Sequence, residues 1–90
     1  MTVSQDYCFS KNSQIIARRE GEETALIDPY RRTMARLNPV GSRVWELVDG
    51  TRSTASIIDI MKGEFEVEAE RLAKDVRAFL KDLARREMIV

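Results

Sequence analysis

Two kinds of reactive side chain are plentiful in this chain, the basic and the acidic, with 15 lysines and arginines balanced by 15 aspartates and glutamates. Histidine is absent and Cys8 is the only cysteine. No internal disulfide can therefore form, a conventional zinc site lacks its ligands, and the thiol has no imidazole base to activate it. A lone cysteine near an N-terminus is more often incidental than nucleophilic. The carboxylates and lysines are common enough to look catalytic by chance, yet none joins a phosphate loop or a metal motif. The residue types predict a protein that is not an enzyme, with no cofactor and no metal, and they leave binding as the chemistry to look for.

Two stretches carry binding chemistry. Arg31-Arg32-Thr33-Met34-Ala35-Arg36-Leu37 reads as a short strand following two others, and an open sheet edge can receive an extended peptide. Backbone groups then supply sequence-tolerant affinity, and alternate guest side chains enter pockets between strand and helix. The same arginines serve equally well as gatekeepers against edge-to-edge aggregation, with Met34 as core filling. The second stretch is the last quarter of the chain, where Arg71, Lys74, Arg77, Lys81, Arg85 and Arg86 offer phosphate or base contacts to DNA. Acids are interleaved there: Glu70 with Lys74, Arg71 with Asp75, and Asp82 with Arg85 or Arg86 stand at helical pair spacing, each pair worth about 0.2–0.5 kcal/mol. With zero formal net charge, the excess positive charge that counterion release needs is missing overall. A solvated helix face laced with paired charge is the better reading, and no nucleic-acid partner is expected.

These residues must be held by elements, and the elements are legible. Gln14 to Glu20 and Thr24 to Asp28 read as two antiparallel strands about a tight turn at Gly21-Glu22. Asp28-Pro29-Tyr30-Arg31 carries turn chemistry, because Pro29 fixes φ and Asp28 can accept from the backbone ahead of it, and Thr33 to Leu37 follows as a third strand. Asn38 is a good helix N-cap and Pro39 fits the first helical position, where no donor is missed. Val40, Val44, Leu47 and Val48 recur at helical spacing up to the stop at Gly50, giving a helix from about Pro39 to Val48 with Trp45 as a core anchor. A second helix runs from Thr54 to about Lys62, capped by Ser53 or Thr54, with Ile57, Ile58 and Met61 inward. The third spans about Glu68 to Arg86 and stacks Leu72, Val76, Phe79, Leu80 and Leu83 on one face. Phe65 and Val67 are expected to pin the preceding loop to the core, and Ile89-Val90 to add a short strand or cover a core edge.

The predicted fold is α+β: an N-terminal three-stranded antiparallel sheet followed by three helices, the inventory of a winged helix-turn-helix domain. That fold class is used in two ways, as a DNA-binding transcriptional regulator or as a protein-binding module. At 90 residues, 43% apolar and 33% charged, the chain suits one small core. No apolar run approaches the roughly 18 residues of a membrane span, and Met1-Thr2-Val3-Ser4-Gln5-Asp6 lacks the regions of a signal peptide, so the expected location is the cytoplasm and no membrane partner is expected.

The run Leu37-Asn38-Pro39-Val40-Gly41-Ser42-Arg43-Val44-Trp45-Glu46-Leu47-Val48-Asp49-Gly50, then Arg52-Ser53-Thr54 with Ile57-Ile58, then Asp75-Val76 with Phe79-Leu80 and Leu83, resembles the PqqD family. This is coenzyme PQQ synthesis protein D together with its PqqD-like relatives, the RiPP precursor peptide recognition elements. Ala25-Leu26-Ile27-Asp28 looks like the family's second strand. The likeness covers roughly residues 15 to 90, taken as a single winged-helix peptide-binding domain, with 1–14 as an N-terminal tail or lead-in strand. The resemblance implies a non-catalytic, chaperone-like domain that captures the leader of a ribosomally made precursor peptide and presents it to a modifying enzyme. In PqqD proper that enzyme is a radical SAM protein. Family members bind the leader as an added strand, so the resemblance implies an edge formed by Arg32, Thr33, Met34, Ala35, Arg36 and Leu37. It also implies a groove drawn from Asp75, Val76, Phe79, Asp82 and Leu83. Pro39-Val40-Gly41 is closer to the broad PqqD-like group than to the version in PQQ synthesis, and Met88 stands where a glycine is common, which leaves the pathway open. An open edge can also pair with its own copy, so a homodimer is an alternative occupant of the same surface.

Overall fold

A computed structural model describes residues 7–90; residues 1–6, the start of the expected tail, lie outside the described residues. Three strands, β1 (Ile16–Glu20), β2 (Glu23–Asp28) and β3 (Thr33–Leu37), precede three helices, α1 (Pro39–Leu47), α2 (Thr54–Met61) and α3 (Ala69–Arg85). The strands form an antiparallel meander in the order β1-β2-β3. Gly21, at φ 65 in the two-residue loop between β1 and β2, supplies the left-handed backbone that a tight hairpin needs. Across the next turn, Asp28 Oδ1 accepts from the Tyr30 and Arg31 amides at 3.0 and 3.1 Å, as its type and position predict.

Register divides the sheet into two faces. Leu26 and Leu37 are buried in the core and Ala35 packs against it, so this parity faces the helices. The opposite parity brings Ile16, Ile27 and Met34 into one cross-strand row and places Ala25 between Arg18 and Arg36. All five β1 residues are exposed. β1 is an edge strand, and no helix brings a Cα within 8 Å of it.

Asn38 caps α1, accepting from the Gly41 amide at 2.8 Å, and Ser53 caps α2, accepting from Ser56 at 3.1 Å. Both helices end one residue earlier than their apolar spacing suggests, and α3 is one residue shorter at each end, which is ordinary fraying. Val44, Trp45, Leu47 and Val48 meet Ile57, Ile58 and Met61, and Leu72, Val76, Leu80 and Leu83 close the core from α3. Residues 10–12 and 88–90 also meet: Ser10 and Val90 exchange backbone hydrogen bonds of 2.8 Å in both directions, and the Asn12 amide donates to Met88 at 3.1 Å. Phe9, Met88 and Ile89 are thereby buried.

Candidate cleft beside the third strand

β3 lies at the sheet edge, and no other strand among the described residues pairs with its outer side. Alternate residues of an edge strand direct their amide and carbonyl outward, which is the template an extended chain can complete. No Cα of β3 comes within 8 Å of one in α3, so the two elements stand apart. Where β3 ends, a cleft of about 230 Å³ opens between α1 and α3, lined by Asn38, Val40, Gly41, Val44, Val67, Leu72, Asp75, Val76 and Phe79. The N-terminal halves of both helices are thus joined by the α2–α3 connection through Val67.

Gly41 sets the depth of this cleft. A Cβ there would stand 3.1 Å from Phe79 Cε1 and 3.2 Å from Cζ, so the missing side chain lets the Phe79 ring lie against α1. Phe79 is half-buried, and with Val40 and Val67 it gives the cleft an apolar interior. Asp75 is the only ionisable residue in the lining, with its carboxylate 3.8 Å from Arg71 Nε. The wall formed by Val67 is held from α1: Arg43 donates to both carboxylate oxygens of Glu64, at 3.0 and 3.1 Å. This pairing raises the Arg43 pKa and lowers that of Glu64, in each case chiefly through the shared hydrogen bonds. Phe65 packs against the core as its apolar character suggests, whereas Val67 is exposed and faces the cleft.

The sequence-derived candidates separate once placed. Asp75, Val76 and Phe79 come together in the cleft. Leu83 is sealed in the core, and Asp82 lies away from the cleft lining, paired with Arg85 at 2.5 Å and Arg86 at 3.3 Å. Thr33 to Leu37 form β3, while Arg32 sits in the preceding turn with φ 55. Leu37 turns its side chain into the core, and Ala35 turns inward beside it. Met34 and Arg36 stand on the far face of the sheet, so Met34 is neither core filling nor part of the cleft. Residue type misled there: the larger apolar residue looks inward-facing, but Leu37 fixes the parity, and Ala35 shares it. Asn38, Val40, Gly41, Val44, Val67 and Leu72 also line the cleft, beyond the residues that the resemblance implies for the groove. Asn38 reads as a helix cap and the others are small or apolar, signals that resemble ordinary capping and packing. On α3, Lys74, Arg77 and Lys81 make no ion pair among the described residues. None of the helices described is long and apolar enough to cross a membrane.

A model of the family described as coenzyme PQQ synthesis protein D (PqqD) matches residues 23–89. No curated protein sequence matches the chain. Among solved structures, TbiB1 in complex with the TbiA(beta) leader peptide is 26% identical, covers 89% of this chain and 93% of its own, and superposes with a TM-score of 0.78. Lasso peptide synthetase B1 complexed with the leader peptide is 19% identical, with 92% and 98% coverage and a TM-score of 0.79, a likeness of fold.

Proposed function

This chain belongs to the coenzyme PQQ synthesis protein D (PqqD) family, and from that premise we propose that it is a non-catalytic recognition element for the leader of a ribosomally made precursor peptide. The observation that carries the reading is the pairing of an open β3 edge with an apolar cleft beside it, in a fold shared with a structure solved with a leader peptide. The leader adds to β3 as a fourth strand. Backbone groups of Thr33 to Leu37 hold it, and its inward side chains rest against Val40, Val67, Asp75, Val76 and Phe79. Arg32, at the turn, meets the guest at the rim, where charge steers association more than it holds it. Asp82 and Leu83 support α3 without touching the guest.

The bound leader presents its core to a separate modifying enzyme, a radical SAM protein if the pathway is that of PQQ. A precursor made by ribosomes is met where it is made, which puts this encounter in the cytoplasm. The test is calorimetry with the synthetic leader of a short precursor-like reading frame beside the gene. Saturable binding at micromolar or tighter affinity, abolished by scrambling the leader and weakened on the order of tenfold by Phe79→Ala, is the expected result. A folded monomer that ignores the leader but binds duplex DNA, with loss on Lys74→Glu or Lys81→Glu, would instead establish the regulator reading.

A further inference from the structure

Resting on the strand-addition reading, we infer that the site has a second side-chain subsite, on the far face of the sheet from the cleft, which takes an apolar leader residue against Met34. The argument starts from register. Ile16 pairs with Ile27 and Ile27 with Met34, so three apolar side chains stand in one row across all three strands on the face that no helix covers. Ile16 is 53% exposed and Met34 61%. An uncovered sheet face ordinarily alternates to polar residues, and apart from the small Ala25, which lies between Arg18 and Arg36, the rest of this one does: Arg18, Glu20, Glu23 and Arg36 share it.

The row ends at Met34, on the strand whose outer edge is open. The other β3 side chain on this face leans the opposite way: Arg36 reaches Glu20 at 2.9 Å and Glu23 at 3.2 Å, back across β2 toward the first hairpin. Met34 is therefore the only far-face side chain of β3 that is not drawn inward from the edge. A strand added to β3 places one residue directly opposite Met34, with side chains about 5 Å apart, and continues the apolar row to a fourth position. Its immediate neighbours in sequence turn to the cleft side, toward Ala35 and the groove lined by Phe79. The guest is thus recognised on both faces. Its signature is a pair of adjacent apolar residues, one for each face, rather than the alternation that a one-sided site would select. A methionine suits this position, since its flexible thioether adapts to different apolar guests.

The probe is a displayed library of random peptides selected on the full chain. Selected peptides are then synthesised and titrated against the wild type, Met34→Glu, Met34→Leu and Phe79→Ala. Because Met34 is exposed, its variants leave the core intact. The expected winners carry adjacent apolar residues, lose roughly fivefold in affinity with Met34→Glu, and recover with Met34→Leu. Winners that need Phe79 but ignore Met34→Glu would overturn the second subsite and leave the cleft reading standing. No enrichment on the wild type, or winners indifferent to both positions, would overturn both. A self-association seen in sedimentation and abolished by Met34→Glu, with peptide affinity unchanged, would assign the apolar row to a second copy and overturn the inference.

Discussion

A methyl group added at Gly41 meets the edge of Phe79 at 3.1 Å, and the ring is free to yield because one side of it faces the cleft. Alanine within a helix gains up to about 1 kcal/mol over glycine. Gly41→Ala therefore separates stability from binding: the midpoint of thermal unfolding should hold or rise, while affinity for the leader falls as the ring is pushed into the cleft. Unchanged affinity would show that the ring does not wall the site. Thr54 poses a different residue-scale question. It is the first residue of α2, it is 1% exposed, and its hydroxyl has no hydrogen-bond partner among the described residues. Burying an unpaired hydroxyl costs about 1–3 kcal/mol, so Thr54→Val should stabilise the fold by about 1 kcal/mol in urea denaturation. A clear destabilisation would mean that the hydroxyl is bonded in solution.

Among the elements, the α2–α3 connection supplies a wall of the cleft through Val67. Its backbone hydrogen bonds are local, from Glu64 to Met61 and from Val67 to Phe65, so its link to α1 falls to the Arg43–Glu64 pair. Arg43 is further tied to Glu46, which Arg19 of β1 also holds, giving a chain of charges from sheet to helix to loop. Partly exposed pairs of this kind contribute up to about 1 kcal/mol. Glu64→Gln should leave global stability within that amount and raise hydrogen exchange at the Val67 amide, since local opening needs less free energy than unfolding. Unchanged exchange would show that Phe65 alone anchors the loop. The elements themselves were readable because capping residues and apolar spacing agree: Asn38-Pro39, Ser53-Thr54 and the Leu72 to Leu83 stripe each mark a helix to within a residue or two. The exposed state of β1 was not readable, because Ile15-Ile16-Ala17 looks the same whether or not a helix lies above it. The facing of Met34 was readable in principle, through the parity set by Leu37.

At the scale of the whole molecule, the ladder between residues 10–12 and 88–90 joins positions that no local pattern connects, and it buries Phe9 in a segment that reads from sequence as an N-terminal tail or lead-in strand. The carboxylates show a comparable division of labour. Among the described residues four of them have pKa values lowered in the folded state, and each sits at a joint between elements. Asp28 accepts chiefly from the Arg31 amide in the β2–β3 turn, Glu46 from Arg19 across to β1, Asp49 from the Thr51 amide between α1 and α2, and Glu64 from Arg43 in the α2–α3 connection. A carboxylate with a folded pKa below its unfolded one adds stability that is fully present above the unfolded value and is lost as pH falls through the folded value. With ordinary values of 3.8 for aspartate and 4.5 for glutamate, the thermal midpoint should stay level from neutrality to about pH 5 and then fall as these joints protonate together. Asp28→Asn isolates one of them. The amide oxygen still accepts from the Tyr30 and Arg31 N–H groups, so the turn survives, but the side chain no longer titrates and loses its ion pair with Arg31. The variant should be less stable than wild type at neutral pH and should lose less on acidification, so the two stability curves converge as pH falls. Parallel curves would mean that Asp28 is held as firmly when protonated, and that the acid response lies in the helix joints instead.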